Sequence, residues 1–395
     1  MSNKIKIGLF GFGIVGQGLY HVLKNSKTVD AEVVLVCDLD ESRKSLLPKD
    51  VYTQDPEEIL NHPDINLVVE LINDADAAYK IDKAALLKGK SVVSANKKML
   101  AYHLDEFIEI QKKTNAAFLY EASACGSIPI IRNLEEYYDN DLTLSVSGIL
   151  NGSSNYILTK IFNENLDYHL ALKQAQDLGF AESNPSLDVD GWDSMFKLII
   201  ITLHSFGVYV HPDNVFNFGI SNLSPHDIQY AKEKGVKIKL VGEVKKSNNG
   251  SITMFVMPKL VYSDDSLFSV ENQFNGVVIE GMFYDKQFMF GKGAGGYPTG
   301  SAVLSDITAR AYDYKYEYKK QKFFQELSYT DNTLVEIYLR YFDDADLALF
   351  NFTEVLEKYL SQNYKYIVGK ISLSELLKIK SQLMERDLFI INTGK

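Results

Sequence analysis

A carboxylate and a lysine stand one helical turn apart where the sequence enters a strongly apolar segment. Asp193 and Lys197 are four residues apart. The apolar residues around them recur at helical spacing: Trp192, Met195, Phe196, Ile199, Ile200 and Leu203. A lysine ammonium that is partly removed from water and lies next to a carboxylate can donate a proton to a developing alkoxide. Such pairs also stabilise ordinary exposed helices, so the rest of the chain has to decide between the two interpretations.

The surrounding residues predict that this helix is buried on nearly all sides. Leu198 and Ile201 lie outside the apolar stripe, yet both are apolar. The segment before the helix, residues 179–191, is acidic and contains the turn signals Asn184-Pro185 and Asp190-Gly191. We therefore expect a loop with acidic side chains to lead directly into the helix of Lys197.

A glycine motif near the N-terminus predicts a dinucleotide site. Residues 4–10 have the pattern of a buried strand, and a helical pattern begins after the motif. The motif consists of Gly11, Phe12, Gly13, Ile14, Val15 and Gly16. Its glycines permit a tight turn and close approach of backbone N–H groups to a pyrophosphate, and a helix N-terminus favours negative charge. A purely structural glycine turn is the alternative, but the flanking strand and helix favour dinucleotide binding.

The residues at and after the end of the second strand bear on whether NAD or NADP is bound. Residues 32–37 are apolar and end at Asp38, where a carboxylate can accept hydrogen bonds from the hydroxyls of an adenosine ribose. A carboxylate there favours NAD because it repels a 2′-phosphate. Arg43 and Lys44 lie just downstream and favour NADP, so the choice between the two cofactors stays open. Asp38 can also be read as a simple strand-end or cap residue.

Strand and helix patterns then alternate up to about residue 122, which predicts a parallel, doubly wound sheet. In such sheets ligands lie beyond the carboxyl ends of the strands. Ser94 and Lys97 fall at one of these ends, so we expect both to face cofactor or substrate, although a solvated basic loop is the alternative for Lys97. A second glycine-rich loop, residues 293–300, opens another helix, and its Gly295 is a further candidate for contact with the cofactor.

The segment from Glu121 to Pro129 lies at the next predicted strand end and consists mainly of small residues. Small residues let backbone carbonyl groups crowd around a ligand or a cation. Cys125 in this segment is a candidate nucleophile for an aldehyde or acyl phosphate, but the sequence nearby offers no histidine to activate it. A buried structural cysteine is the favoured interpretation.

Composition limits the classes of function. The 395 residues carry a formal net charge of −11 and 46% hydrophobic residues, which predicts a globular protein of two or three domains that does not bind bulk nucleic acid or a membrane. Because the first strand begins almost at the N-terminus and apolar runs are short, we expect a cytoplasmic protein. Two cysteines are too few for a disulfide framework or a cysteine metal site.

Taken together, these blocks resemble homoserine dehydrogenase over roughly residues 4–315. Each motif is weak alone, but the set in this order is specific. The matching segments are Gly11–Gly16, Ser94–Lys97, Glu121–Pro129, Gly148–Tyr156, Gly179–Lys197 and Gly293–Asp306. No aspartate-kinase domain precedes them, so the resemblance is to the monofunctional form of the family.

The resemblance implies reversible reduction of L-aspartate 4-semialdehyde to L-homoserine with NADH or NADPH, on the route to threonine and methionine. It implies that Lys197 donates the proton, that Asp193 holds and tunes Lys197, and that Glu182 binds the substrate's ammonium group. Lys97 matches the family's second lysine, at the junction of cofactor and substrate. We also assign Asp188, Asn151 and Gly152 to the substrate. A sodium ion is implied at backbone oxygens of Glu121, Ala124, Gly126 and Ile128.

The expected fold is α/β: a Rossmann domain with a doubly wound parallel sheet, a second α+β catalytic and dimerisation domain, and a small α+β module at the C-terminus. We place the first domain at residues 1–141, completed by 292–325, the second at 142–291 and the third at 326–395. Within the third, residues 351–360 are predicted to be helical. We expect a homodimer or a dimer of dimers.

Two other functions fit parts of the sequence. A phosphorylating semialdehyde dehydrogenase would use Cys125 as its nucleophile, and a nucleotide-binding sensor would use the C-terminal module to bind an amino acid and switch a partner protein. The module resembles the family's regulatory ACT module but lacks its usual Asp-x-x-Gly loop, so feedback by threonine is a separate hypothesis. Intact Glu182, Asp193 and Lys197 favour an active enzyme.

Overall fold

The computed structural model describes residues 4–323 and 327–395 of the chain, so the predicted boundary between residues 325 and 326 lies outside the described residues. The strands in chain order are β1 (Ile5–Phe10), β2 (Ala31–Cys37), β3 (Tyr52–Thr53), β4 (Leu67–Glu70), β5 (Ser91–Ser94), β6 (Phe118–Leu119), β7 (Thr143–Ile149), β8 (Phe216–Asn217), β9 (Lys237–Lys246), β10 (Ser251–Val261), β11 (Phe274–Gly281), β12 (Asp285–Lys292), β13 (Ser328–Tyr329), β14 (Leu334–Tyr341), β15 (Glu354–Leu360), β16 (Lys365–Ser372) and β17 (Phe389–Asn392).

The helices connect these strands. In chain order they are α1 (Ile14–Asn25), α2 (Pro56–Leu60), α3 (Ala75–Leu87), α4 (Lys97–Thr114), α5 (Ile130–Glu136), α6 (Gly152–Glu164), α7 (Tyr168–Asp177), α8 (Ser186–Val189), α9 (Trp192–Phe206), α10 (Pro225–Glu233), α11 (Gly296–Arg310), α12 (Lys320–Phe323), α13 (Asp344–Leu347) and α14 (Leu373–Met384). Short 3₁₀ helices lie at Glu41–Leu46, Glu121–Ser123, Pro212–Asn214 and Ser266–Ser269. None of the described helices is long and apolar enough to cross a membrane.

The chain divides into two compact units, Met1–Asp139 with Lys292–Lys319, and Asn140–Gly291 with Lys320–Lys395. The first unit contains a described sheet of six strands in the order β3-β2-β1-β4-β5-β6. Every neighbouring pair in this sheet is parallel. The alternation of apolar strand patterns and helical patterns therefore produced the Rossmann arrangement that it predicts, and the predicted fold class is confirmed.

Helix α11 belongs to the first unit although it comes from residues far along the chain. It packs against α1 through glycines, because a Cβ on Gly18 would lie 2.2 Å from the carbonyl oxygen of Gly296, and a Cβ on Gly300 would lie 2.6 Å from the backbone nitrogen of Leu19. Two helices can approach this closely only where side chains are missing. This contact brings the second glycine-rich loop next to the first.

The second unit is built on a long mixed sheet. The order of its described strands is β12-β11-β7-β9-β10-β17-β14-β16-β15, and β8 and β13 also pair with β10. Helix α9 packs on β7, β9 and β10. As its sequence predicts, α9 is buried from Asp193 to Phe206. It begins after Gly191 (φ +82°) and ends before Gly207 (φ +70°), two left-handed positions that favour glycine.

The C-terminal strands join the sheet of the second unit directly, because β17 pairs with β10 in parallel through Lys259 and Asn392. The helix predicted at residues 351–360 is wrong: β15 occupies most of it and pairs antiparallel with β16. Cross-strand partners explain the difference, since Lys370 lies 2.8 Å from Glu354 and the rings of Tyr359 and Tyr366 stack at 5.2 Å. Such partners are not visible in the local sequence pattern.

Candidate active site

Lys197 is buried in the second unit together with its carboxylate partner. The side chains of Lys197 and Asp193 are only 10% and 6% exposed, and the Lys197 Nζ lies 2.6 Å from Asp193 Oδ2. The same Nζ donates a second hydrogen bond, of 2.8 Å, to the carbonyl oxygen of Leu150. The surface-pair interpretation of this spacing is therefore wrong, because the ammonium is buried and bonded to two acceptors.

Asn151 connects this pair to the acidic loop. Its Nδ2 donates to Asp193 Oδ2 at 2.8 Å and to Asp188 Oδ1 at 2.7 Å. Its Oδ1 accepts a hydrogen bond from the backbone N–H of Ser154, so Asn151 also caps the N-terminus of α6. One asparagine thus fixes the end of β7, the start of α6 and two carboxylates. Asp188, Asn151, Asp193 and Lys197 form one hydrogen-bonded network.

Gly152 and Glu182 occupy different surroundings. A Cβ on Gly152 would lie 2.6 Å from the carbonyl oxygen of Gln273, so the start of α6 lies against the segment before β11. Glu182 is exposed in the turn between α7 and α8, where its backbone oxygen accepts a hydrogen bond of 2.9 Å from Gln176 Nε2. The structure therefore brings Asp188 to the lysine network and leaves Glu182 at the surface of the same unit.

The first glycine motif in the other unit has the geometry of an anion cradle. Gly11 has a φ of +89°, and a Cβ on it would lie 2.7 Å from the carbonyl oxygen of Leu71. Gly13 precedes α1 without a side-chain cap, and the one heavy atom near its added Cβ is Arg43 Nη1 at 3.8 Å. The missing side chain at Gly13 thus leaves space beside the uncapped first turn of α1, which suits close approach of a pyrophosphate.

Asp38 follows β2 as predicted, and its carboxylate is held by three donors. Oδ2 accepts hydrogen bonds from the backbone N–H of Phe12 and from Arg43 Nη1, the latter at 2.8 Å. Oδ1 accepts from the backbone N–H of Asp40 at 2.8 Å. Arg43 is also 3.1 Å from Asp40 Oδ2 and remains 34% exposed. The acid and the base that favour different cofactors therefore form one ion pair beside the glycine motif.

Ser94 and Lys97 lie at the carboxyl end of β5, as predicted. Ser94 Oγ donates to Glu70 Oε2 at 2.6 Å, and Lys97 is the half-buried first residue of α4. Asn96 caps α4 and donates from Nδ2 to the carbonyl oxygen of Ile72, which links the loops that follow β4 and β5. These loops form the edge where a parallel sheet binds its ligand.

Sequence analysis missed a pair of buried carboxyl groups below this edge. Glu70 and Asp82 are fully buried, and both oxygens of Asp82 lack a hydrogen-bond partner among the described residues. Burial raises the pKa of Glu70 to about 7. Burial, followed by the charge of Glu70, raises the pKa of Asp82 as well. The sequence does contain a signal for Asp82: this acidic residue lies on α3 among apolar residues that predict a buried helix face.

The segment from Glu121 to Pro129 is buried and tightly turned. Cys125 and Gly126 have φ values of +55° and +56°, and Cys125 is completely buried, which does not suit a nucleophile that a substrate must reach. The carboxylate of Glu121 accepts hydrogen bonds from the backbone N–H groups of Ile131 and Arg132. Burial, with a smaller contribution from the charge of Asp306, raises the pKa of Glu121 to about 8.

Gly295 marks the second glycine loop, with a φ of +122° directly before α11. A Cβ on the next residue, Gly296, would lie 2.8 Å from the carbonyl oxygen of Ile14. The first turns of α1 and α11 are therefore adjacent, and Gly295 lies beside the predicted cofactor loop.

Comparison with known proteins accounts for both units. Residues 11–121 match the family model for the NAD binding domain of homoserine dehydrogenase, and residues 129–308 match the homoserine dehydrogenase model. The homoserine dehydrogenase of Bacillus subtilis is 35% identical over 314 residues, which are 77% of this chain and 72% of that protein. The chain belongs to the homoserine dehydrogenase family. The predicted family and enzyme class are confirmed: it is an NAD(P)-dependent oxidoreductase.

Other homoserine dehydrogenases support the same assignment. The enzyme of Helicobacter pylori is 36% identical and is matched over 74% of its length by 78% of this chain. A crystal structure of a homoserine dehydrogenase from Thiobacillus denitrificans superposes with a TM-score of 0.82 at 26% identity, over 98% of both chains. A hyperthermophilic archaeal homoserine dehydrogenase, solved in complex with NADPH, gives a TM-score of 0.70 at 27% identity over 80% of this chain and 99% of that one. The nicotinamide cofactor predicted from the glycine motif is thus supported.

Proposed function

We propose that this homoserine dehydrogenase uses Lys197 as the proton donor when it reduces L-aspartate 4-semialdehyde to L-homoserine. The observation that supports the proposal most directly is the position of the Lys197 ammonium. It has three N–H donors, of which Asp193 and the Leu150 carbonyl use two. The third remains for the carbonyl oxygen of the substrate. When bound, a reduced nicotinamide cofactor supplies the hydride that the carbonyl carbon accepts.

Asp193 orients the lysine, because its Oδ2 accepts a hydrogen bond of 2.6 Å from Lys197 Nζ. Asn151 holds Asp193 from the other side, so the carboxylate cannot rotate away from the lysine without losing two hydrogen bonds. As charge develops on the substrate oxygen, the fixed ammonium stabilises it before transferring its proton. In the oxidation of homoserine, the neutral lysine accepts the proton of the alcohol.

The amino-acid part of the substrate needs acceptors for its ammonium group and donors for its carboxylate. We propose Asp188 and Glu182 as the acceptors and Lys97 as a donor. The supporting observations are that Asn151 joins Asp188 to Asp193, the partner of Lys197, and that Glu182 is exposed in the same acidic loop. Gly152 is the first residue of α6, so its backbone N–H would be the group that contacts the substrate.

The cofactor residues are proposed from the geometry of the first unit. Backbone N–H groups of residues 13–16 and the turn at Gly295 would bind the phosphates, since the N–H of Phe12 already donates to Asp38. Asp38 would accept ribose hydroxyls, and Ser94 with Lys97 would lie near the nicotinamide end. This arrangement suits the cofactor because the start of α1 lacks a side-chain cap and the nearest heavy atom to a Cβ added on Gly13 is Arg43 Nη1, 3.8 Å away. NAD and NADP are both compatible with the Asp38–Arg43 pair.

A sodium ion is proposed at the backbone oxygens of Glu121, Ala124, Gly126 and Ile128. Among residues 4–323 and 327–395 no cluster of three His, Cys, Asp or Glu side chains suits a metal ion, so backbone oxygens are the relevant ligands. The tight turn at Cys125 and Gly126 and the small residues around it support this choice. A homodimer, a cytoplasmic location and a threonine response of the C-terminal strands are kept as further proposals.

A spectrophotometric assay tests the proposed reaction and its proton donor together. Homoserine oxidation is followed with NAD and with NADP in parallel, with sodium and threonine varied, for the wild type and for Lys197→Ala. We expect kcat of the variant to fall by about 10²–10⁴, the usual scale for loss of a general acid or base, while the dissociation constant of the cofactor stays within about threefold.

Lys173→Ala is the matched control, because Lys173 is an exposed lysine on α7 of the same unit. It is expected to keep the activity of the wild type. Near-normal turnover of Lys197→Ala would refute the role given to Lys197, and no turnover of homoserine by the wild type would refute the reaction itself.

A further inference from the structure

A lysine from the C-terminal part of the chain contacts the first residue of the catalytic helix. Lys380 lies on α14, and its Nζ is 4.5 Å from the centre of the Trp192 ring. The same Nζ donates a hydrogen bond of 3.0 Å to the carbonyl oxygen of Val215. Trp192 begins α9 and directly precedes Asp193, the partner of Lys197. A cation over an indole ring is the most favourable form of the cation–π contact.

The start of α9 needs such external support. Its N-cap is Gly191 with a φ of +82°, and no side chain caps the first turn. Glycine permits many backbone conformations, so this position does not by itself define the direction in which the helix begins. Asp193 lies in that first turn, and its hydrogen bonds with Lys197 and Asn151 depend on where the turn lies.

The segment on the other side of Lys380 is bound to the loop before α9. Val215 leads into β8, where Asn217 Nδ2 donates to the carbonyl oxygen of Asp190 at 2.9 Å. Slightly further on, the backbone N–H of Ile220 donates to the carbonyl oxygen of Val189 at 2.7 Å. Lys380 therefore holds both the ring that opens α9 and the strand that binds the residues just before it.

The charge of Lys380 is weakly solvated. Burial lowers its pKa to about 8, and Asp213 opposes this effect. Asp213 faces it from the 3₁₀ helix Pro212–Asn214 and is itself 3.5 Å from His211 Nδ1, while α9 presents the uncharged Trp192 ring. On α14 itself, Glu375 and Lys378 pair with each other. A desolvated ammonium interacts more strongly with an aromatic ring than a hydrated one does.

We propose that Lys380 is a positioning residue for the proton donor: by fixing Trp192 and Val215, it sets the first turn of α9 and with it the carboxylate that orients Lys197. The inference rests on the proposed role of Lys197. It makes α14 part of the support of the active site, in addition to any regulatory role of the C-terminal strands. It also predicts that a displacement of α14 shifts Asp193 and Lys197 through the contact between Lys380 and Trp192.

Three variants test the inference by steady-state kinetics. Lys380→Met keeps the hydrocarbon chain but removes the charge and the hydrogen bond, Lys380→Arg keeps both, and Lys378→Met removes an exposed lysine of the same helix that is 70% exposed. We expect Lys380→Met to lower kcat about tenfold with the KM of the cofactor within about twofold, since small displacements of catalytic groups have effects of this order. Lys380→Arg and Lys378→Met should stay within about twofold of the wild type.

Fluorescence provides a readout that does not depend on turnover, because Trp192 is the one tryptophan among the 395 residues. In the wild type and in Lys378→Met, we expect the emission to change with a midpoint near pH 8, where Lys380 loses its proton. In Lys380→Met this transition should be absent. The contact is thereby tested even in a variant of low activity.

The outcomes distinguish a failure of the inference about Lys380 from a failure of the proposed role of Lys197. Wild-type kcat in a Lys380→Met protein of unchanged melting temperature overturns the inference, and so does a Lys380→Arg variant that folds normally but fails to restore kcat. If Lys380→Met does not fold, the Lys380→Arg kinetics decide, and a loss of kcat in a normally folded Lys380→Arg protein overturns the inference. Normal turnover of Lys197→Ala would instead refute the proposed function, whereas the fluorescence test of Lys380 would remain valid.

Discussion

The two units each contain a cation paired with an aspartate, and the pairs differ mainly in burial. In the second unit Lys197 and Asp193 are 2.6 Å apart with 10% and 6% of their side chains exposed. In the first unit Arg43 and Asp38 are 2.8 Å apart, and the arginine is 34% exposed. Both aspartates are buried, so the environment of the cation distinguishes the pairs. A buried ammonium suits proton transfer, whereas a guanidinium at the surface suits recognition of a ligand.

The two ion pairs also differ in the other hydrogen bonds that their members form. Asp38 accepts hydrogen bonds from the backbone N–H groups of Phe12 and Asp40, which a substitution of Arg43 would leave in place. Lys197 has Asp193 as its carboxylate partner, supplemented by the neutral Leu150 carbonyl. We infer that Asp38 keeps its conformation without its cation, whereas Lys197 depends on Asp193.

The largest expected effect is on stability after loss of the buried carboxylate. Asp193→Ala leaves a buried ammonium without its counter-charge, and we expect the free energy of unfolding to fall by about 3–5 kcal/mol. Arg43→Ala should lower it by about 0–1 kcal/mol, as is usual for pairs that are partly exposed. Calorimetry of both variants and the wild type measures the difference. Equal losses in the two variants would contradict the contrast between the pairs.

The buried carboxyl groups of Glu70 and Asp82 extend the comparison of the two units to the pH dependence of stability. Burial raises the pKa of Glu70 from 4.5 to about 7, so between these pH values the folded protein holds a proton that the unfolded chain has released. Stability should therefore fall as pH rises from about 4.5 to 7 and then level off, by about 3 kcal/mol from this group.

Glu70→Gln tests this pH dependence, because glutamine imitates the protonated carboxyl group and does not ionise. Its stability, measured by thermal unfolding at several pH values, should fall less steeply across the window than that of the wild type. Glu109→Gln, at a side chain that is 58% exposed in the same unit, is the control and should keep the wild-type slope. Identical slopes for Glu70→Gln and the wild type would show that Glu70 is ionised throughout.

The smallest expected effect concerns the choice of cofactor. Arg43 is the cation beside Gly13, so Arg43→Ala should lower kcat/KM for NADP relative to NAD by about tenfold, which corresponds to about 1.4 kcal/mol. Parallel assays with the two cofactors measure the ratio, with Lys49→Ala, at an exposed lysine of the same unit, as the control. An unchanged ratio would mean that Arg43 serves only to hold Asp38.

Local sequence patterns were sufficient for the sheet of the first unit and for helix α9. The apolar residues around Asp193 and Lys197 predicted a buried helix but left open whether the pair itself is buried, and the strand before Asp38 predicted its place beside the glycine motif. These predictions succeed because the residues involved are close in the sequence, where helical and strand periodicities apply.

Contacts between distant residues were beyond such patterns. Asn151 reaches Asp193 across 42 positions, Glu70 and Asp82 meet only after α3 packs on β4, and Lys380 is far from Trp192 in the chain. The strand at Glu354–Leu360 was mistaken for a helix for the same reason, since its stability comes from β16. Tertiary partners override local propensity at these places.

The close packing of α1 against α11 affects how the chain folds during its translation. Residues 1–139 and 292–319 form one unit, and the glycines at positions 18, 296 and 300 join its two parts. A nascent chain leaving the ribosome therefore exposes the bare surface of α1 during translation of roughly the next 270 residues, since domains fold as they emerge and α11 comes late. Until Gly300 has left the exit tunnel, this incomplete dinucleotide-binding unit is a candidate client for chaperones.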